Sequence, residues 1–461
     1  METNYKITCD LFSLPYDDFN QILYAPRLGF ISIVNNDLVN LLADVETLDV
    51  QILNQEQKAA LDYLHKKNLL NGSSEMNIVS PTLIEYEPTM LTLFPTNQCN
   101  LRCKYCYASA GDFKPLTMDW FYATNAIDTL INNVKKRGSK SVALGFHGGG
   151  EPLFPWELIK RTVEYAEEQS AKAELKISIF SATNGLLSSS QLEWIIQHFS
   201  NLNISFDGLP HIQDIQRPLP NGKGSFEFVN RTIKFLDDHQ FNYGLRSTIS
   251  SLNVDVMENC LDYIINNYKT KTIHFEPLFY CGRCKTTNSL SPEMEKFIEN
   301  FIKCELKAKE CGITLVYSGC RIDNLTTSFC GATQDNFALT PDGYLTTCYE
   351  VTSKDDPKSD TFFIGKITEN GQVEIDESKR KYLNSLSVDN LAYCSDCFAK
   401  WHCGGECIAK LGHTDYSGPR GHDRCKLNRH LIKNRLINIA QGNYSHQESN
   451  STNKEIKENQ F

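Results

Sequence analysis

From Met90 onward, short apolar runs alternate with stretches whose apolar residues recur every three or four positions. The short runs are Leu91–Pro95, Ser141–Phe146, Leu175–Phe180, Asn203–Phe206, Tyr243–Ile249 and Thr272–Leu278, and each reads as a strand. Between them lie segments such as MDWFYATNAIDTLINNVKK and SFEFVNRTIKFLDDHQ, which carry the helical period. Six strands alternating with helices predict an α/β fold. Its parallel sheet curves into a partial (β/α)6 TIM-like barrel over residues 88–290. In such folds chemistry gathers at the C-terminal strand ends.

The pattern differs on both sides of this barrel. In ILYAPRLGFISIV (Ile22–Val34) two apolar stretches flank a break at Pro26–Gly29, which predicts a hairpin. Helical spacing follows in LVNLLADV and EQKAALDYLHKKNLL, so residues 1–80 read as a small winged-helix-like unit. Asn71–Asn77, rich in Gly, Ser and Asn, is the expected linker. Residues 291–325 form a bridging segment. Beyond about residue 325 the alternation stops, and residues 326–435 are rich in Cys, Gly and Asp. Such a region is expected to fold around metal rather than around a large apolar core. The polar tail, 441–461, reads as disordered.

Composition narrows the function. The chain has 461 residues, is 41% hydrophobic and carries a formal net charge of −10 without a basic stripe. That argues against a nucleic-acid partner. No apolar run reaches the roughly 20 residues a membrane helix needs, and no signal peptide is visible, so no membrane partner and a cytoplasmic location are expected. Seventeen cysteines are then hard to explain as disulfides, which makes metal binding or catalysis the better reading. Three stand at 99–106 and seven between Cys330 and Cys425. Most of the others read as small buried apolar residues, Cys281 and Cys284 of YCGRCK among them.

Cys99, Cys103 and Cys106 are spaced C-x3-C-x2-C, just past the first barrel strand. A structural zinc site would want a fourth Cys or His nearby. A redox dithiol of Cys103 and Cys106 would leave Cys99 without a role. Three thiolates on one loop suit a 4Fe-4S cubane with three irons held and one open to a ligand.

With Tyr105 before its last cysteine, this motif resembles the signature of the radical S-adenosylmethionine superfamily. FHGGGEPLF (Phe146–Phe154), after the second strand, is similar to the GGEP motif with which that superfamily holds the methionyl amine. Glycines let backbone carbonyls approach closely, and Glu151 offers a negative charge to an ammonium. The resemblance implies S-adenosylmethionine as cofactor, with Tyr105, Gly148, Gly149, Gly150 and Glu151 around it. It also suggests Ser205 in SFDG, Arg217 and Arg246 for the cofactor carboxylate or ribose.

The second group of cysteines begins with Cys330, Gly343 and Cys348, in the order C-x12-G-x4-C. Cys394, Cys397, Cys403 and Cys407 follow as C-x2-C-x5-C-x3-C, and Cys425 closes the series. Cys394 and Cys397 alone look like half a zinc ribbon, but the continuation fits zinc poorly. The order resembles the SPASM domain, an auxiliary-cluster module of radical enzymes that modify peptides. By that resemblance two auxiliary 4Fe-4S clusters are implied. One uses Cys394, Cys397, Cys403 and Cys425. The other uses Cys330, Cys348 and Cys407, with a fourth ligand left open among Cys320, another side chain or substrate.

The resemblance implies an oxidoreductase that cleaves S-adenosylmethionine to a 5′-deoxyadenosyl radical. It also implies an external one-electron reductant of the flavodoxin or ferredoxin kind. The expected substrate is a ribosomally made precursor peptide, joined by a thioether or carbon–carbon crosslink, with residues 1–80 binding its leader as an added strand. A sulfatase-maturing enzyme and an enzyme acting on a small molecule are the alternatives. The sulfatase branch has an aspartate after the cysteine of G-x4-C, where this chain has Tyr349 and Glu350; either is a candidate base.

Overall fold

The computed structural model describes residues 5–72, 85–287, 291–410 and 423–442. Most of the expected linker and of the expected disordered tail lies outside the described residues.

The N-terminal unit is a three-stranded antiparallel sheet in the order β1 (Phe12–Pro15), β2 (Asn20–Ala25), β3 (Phe30–Asn35). Pro26–Leu28 turns β2 into β3, with Gly29 in the left-handed region at φ 60°, as the Pro–Gly break predicts. The helices Asn36–Ala43 and Gln55–Lys66 follow, each started by an asparagine whose side chain accepts a backbone N–H. A separate small core of Leu23, Leu42, Val45, Leu61, Leu64 and Leu70 holds this unit.

The barrel strands are β4 (Met90–Leu93), β5 (Ser141–Phe146), β6 (Lys176–Thr183), β7 (Asn201–Ser205), β8 (Tyr243–Ile249) and β9 (Thr272–Pro277). They pair in parallel in sequence order. Strand alternation sends one set of side chains outward onto the helices and the other into the lumen. Ile273 and Phe275 of β9 are fully buried outward, and His274 and Glu276 face the lumen.

Among the described residues the sheet has eleven strands, extended at both edges of the barrel. β10 (Thr314–Val316) adds in parallel to β9. At the other edge β11 (Ala338–Leu339) adds in parallel to β4, and β12 (Tyr344–Thr346), β13 (Phe363–Ile367) and β14 (Val373–Ile375) continue antiparallel. The Cys-rich region therefore shares the barrel's apolar core through Phe337, Leu339, Leu345, Ile364 and Trp401. The expectation of a region organised around metal instead of an apolar core is corrected here. Strands of two or three residues are too short to show a period, and burial against β4 supplies what local pattern does not. No helix among the described residues is long and apolar enough to cross a membrane.

Candidate active site

The cysteine loop leaves β4 at the barrel mouth, its backbone groups tied down by side chains. Asn97 closes its base, donating to Lys114 O at 2.9 Å and accepting from Leu116 N at 2.8 Å. Arg102 donates to the carbonyls of Cys99 and Leu101, each at 2.8 Å. Arg283, arriving from the loop after β9, donates to Cys103 O at 2.9 Å and Ala110 O at 2.6 Å. With the carbonyls so engaged, the free thiols of Cys99, Cys103 and Cys106 are left for a ligand. Backbone N–H groups of Leu101 and Ala110 face the sulfurs of Cys99 and Cys106 at 3.4 Å.

Burial pushes the Cys99 and Cys103 thiols up to about 12, and the neighbouring cysteines add to the rise. Such a set is costly as bare thiolates and well matched to a cationic inorganic core. Among the described residues no three Cys, His, Asp or Glu side chains close on a single-ion site, while three thiols on one loop suit a larger inorganic group held by all three. A three-thiol cubane loop meets that description.

The loop Gly148–Glu151, after β5, lies directly against the cysteine loop. Glu151 N donates to Gln98 O at 2.8 Å. A methyl group at Gly150 would overlap the Gln98 carbonyl oxygen, so only glycine permits this approach. Tyr107 Oη donates to Gly148 O at 3.0 Å. The Glu151 carboxyl is buried and accepts from Thr183 Oγ1 and Asn184 N, each at 2.8 Å. Burial lifts it to about 7, with those hydrogen bonds opposing the rise. Asn184 also reaches Cys99 Sγ at 3.8 Å, so the cysteine loop and the ends of β5 and β6 meet at one point.

Asp207 of SFDG organises the next strand end, a role the sequence reading missed although it quoted the motif. It is fully buried, and Arg217 grips it with Nε at 3.0 Å and Nη2 at 3.1 Å. Tyr105 Oη donates to it at 2.6 Å, Gln216 at 2.9 Å and Thr248 N at 2.9 Å. Arg217 also lies over the Tyr105 ring, 5.2 Å from its centroid. Tyr105 and Arg217 are thus held beneath the cysteine loop, with Arg217 Nη1 outside the Asp207 grip. Ser205 and Arg246 stand side by side on β7 and β8. The Arg246 side chain is 48% exposed, and its nearest carboxylate is Glu276 at 3.9 Å.

Tyr349 closes one wall of the lumen, its hydroxyl 2.7 Å from Thr92 Oγ1 and its ring 5.0 Å from that of His147. Burial raises its phenol above the usual range. Burial also works against the Glu350 carboxylate, but Lys410, 2.9 Å away, outweighs it and holds the group below its ordinary value. Lys410 N in turn donates to Cys407 O at 2.9 Å, joining the loops of Cys348 and Cys407.

Cys394, Cys397, Cys403 and Cys425 line one cavity with Tyr393 and Asn428. Asn428 donates to Cys403 Sγ at 3.1 Å. Cys330, Cys348 and Cys407 are mutual neighbours; burial pushes the Cys348 and Cys407 thiols up, and Glu350 pushes them further. Cys320, the cysteine named for a fourth partner, sits beside Arg435, Glu305 and Asp323.

Residues 93–262 match the family model described as the Radical SAM superfamily. An uncharacterised protein of Methanocaldococcus jannaschii is 32% identical over 208 residues, 45% of this chain and 68% of the relative. A radical SAM cyclopropyl synthase, TigE of Paramaledivibacter caminithermalis, is 23% identical over 366 residues, 73% of this chain and 72% of that protein. The structure of anSMEcpe with bound AdoMet superposes with a TM-score of 0.61 at 20% identity, covering 77% of this chain and 100% of that one. At that identity the likeness speaks for the fold.

Proposed function

The chain belongs to the radical SAM superfamily, and from that premise we propose that it is a maturase that crosslinks a ribosomally made peptide. When bound, the cluster and S-adenosylmethionine supply a 5′-deoxyadenosyl radical able to remove hydrogen from an unactivated carbon. The residues of this chain bind, orient and exclude water around that chemistry. Cys99, Cys103 and Cys106 hold the cluster, with Arg102 and Arg283 fixing the loop carbonyls. Glu151 would take the cofactor ammonium, and Ser205 and Arg217 would meet its carboxylate or ribose. Cys394, Cys397, Cys403 and Cys425 hold one auxiliary cluster; Cys330, Cys348 and Cys407 hold the other. Glu350, ionised beside Lys410, is the better base; Tyr349 keeps its proton and shapes the lumen.

One observation carries the peptide reading: the N-terminal sheet is docked on the helix Lys400–Cys403, next to the cavity of the four cysteines. A sheet with edges at β1 and β3 suits an extended leader added as a strand. The sulfatase reading is disfavoured because Tyr349 and Glu350 follow Cys348, where that branch has an aspartate.

The test is co-expression with short peptides encoded beside the gene, read by mass spectrometry. A peptide that loses two hydrogens with the wild type and none with Cys103→Ala supports the reading. Unmodified peptides, with turnover of a small molecule instead, would refute it.

A further inference from the structure

Two imidazoles inside the barrel carry ring nitrogens with nothing to bond. His147 Nδ1 and His274 Nδ1 are buried, and neither has a hydrogen-bond partner among the described residues. Buried polar atoms in a folded protein are nearly always satisfied, so an orphan pair at the mouth of one lumen points to a ligand. His147 follows β5, its ring held 5.0 Å from that of Tyr349 and 6.2 Å from that of Phe94. His274 lies on β9 and is paired in register with Arg246 on β8. The Arg246 guanidinium is the charged neighbour common to both imidazoles, and Glu350 is a second charge beside His147.

Arg246, half exposed, has an acidic partner only at the edge of ion-pair range. The carboxylate nearest to it belongs to Glu276, at 3.9 Å, and both oxygens of Glu276 are taken by Ser318, through its backbone N–H and its hydroxyl, each at 3.0 Å. Covering Arg246 with a neutral or basic group would strip water from an unpaired charge. Covering it with an anion would pair it, and guanidinium matches carboxylate in shape as well as charge. Burial and the nearby Arg246 keep His147 and His274 neutral, at about 4 and about 3, so they add donors without adding charge.

We propose that Arg246, His147 and His274 form the seat for a side-chain carboxylate of the substrate peptide, an aspartate or glutamate at or beside the modified residue. This rests on the peptide reading above, and it takes Arg246 from the cofactor to the substrate. In the seat Arg246 holds the carboxylate while the two imidazoles donate from their free nitrogens, fixing the neighbouring carbon over the barrel mouth. These are positioning residues, since none of them exchanges a proton or electron with the reacting carbon.

The test uses full-length protein reconstituted with iron and sulfide without oxygen and labelled with ¹⁵N-histidine, with saturating S-adenosylmethionine. His147→Gln and His274→Gln assign the two ring signals. Three probes are added in turn: N-acetyl-glutamate methylamide, N-acetyl-glutamine methylamide, and N-acetyl-glutamine with a free C-terminal carboxylate. The proposal expects the first probe alone to move both signals, and Arg246→Gln to weaken its binding at least tenfold. Cofactor affinity, measured on the same samples by equilibrium dialysis, should change far less. Signals moved by S-adenosylmethionine itself, with cofactor affinity lost in Arg246→Gln, would overturn the proposal and return the residues to the cofactor. A response to the free C-terminus alone, or to none of the probes, would equally overturn it. Cluster absorbance in each variant shows that it has folded. Failure of the wild type to form 5′-deoxyadenosine would strike the radical reading instead, which the binding data do not depend on.

Discussion

The indole N–H of Trp401 donates to the Asp10 carboxylate at 2.9 Å, joining residues 391 positions apart. Lys400 Nζ reaches the same carboxylate at 3.2 Å, Arg27 lies over the Trp401 ring, and the Tyr24 hydroxyl meets the His402 imidazole. The N-terminal sheet thus sits on the short helix that ends at Cys403.

Asp10→Ala leaves the Trp401 N–H and the Lys400 ammonium without their shared acceptor, in a seam where both side chains are nearly covered. The expected cost is about 1–3 kcal/mol. It should appear as faster proteolytic release of the N-terminal unit while the barrel stays intact. Release at the wild-type rate would show that the seam is held by its apolar contacts alone.

Asp207→Asn removes the charge that Arg217, Tyr105 and Gln216 share. An uncompensated buried guanidinium should cost about 3–5 kcal/mol, read as a lower denaturation midpoint. Asp207→Asn combined with Arg217→Met should recover part of that loss. A double variant as unstable as the sum of the singles would contradict the pairing.

Glu151 sets a pH dependence. Its carboxyl, ordinarily near 4.5, is lifted by burial to about 7 in the fold. Because the neutral form is favoured, the cofactor-free protein gains stability from this group below about pH 4.5 and loses it as pH rises through about 7. An ammonium partner needs the carboxylate, so cofactor affinity should fall below pH 7, by up to about tenfold per unit. Equilibrium dialysis between pH 6 and 8 reads this directly, and Glu151→Gln should flatten the profile while weakening binding throughout. A wild-type profile as flat as that of the variant would remove Glu151 from the ammonium.

Under the proposed assignment the cysteine sets separate by function. Cys103→Ala should lose about four irons per chain together with all 5′-deoxyadenosine formation. Cys403→Ala should lose a similar number and keep cofactor cleavage, failing only at product. Loss of cleavage in Cys403→Ala with the barrel cluster intact would mean the two sites are not independent.

The six barrel strands were legible because each is local, a short apolar run set between helical periods. Ser141–Phe146 and Tyr243–Ile249 carry the same bounds in sequence and structure. What escaped depends on pairing at a distance. Ala338–Leu339 becomes a strand only because β4 offers an open edge. Asp207 becomes a hub because Tyr105 and Arg217 are brought to it from other elements. His147 was quoted within its motif, yet nothing in the sequence shows that its Nδ1 ends without a partner. Arg217 was expected at the cofactor, and no spacing rule shows that Asp207 engages two of its nitrogens first.

The most direct test of the whole account is made on protein reconstituted without oxygen: iron and sulfide per chain, then 5′-deoxyadenosine after dithionite and S-adenosylmethionine. The account predicts about twelve irons and 5′-deoxyadenosine release that Cys99→Ala, Cys103→Ala and Cys106→Ala each abolish. Zinc in place of iron, or intact cofactor over a reduced cluster, would contradict it.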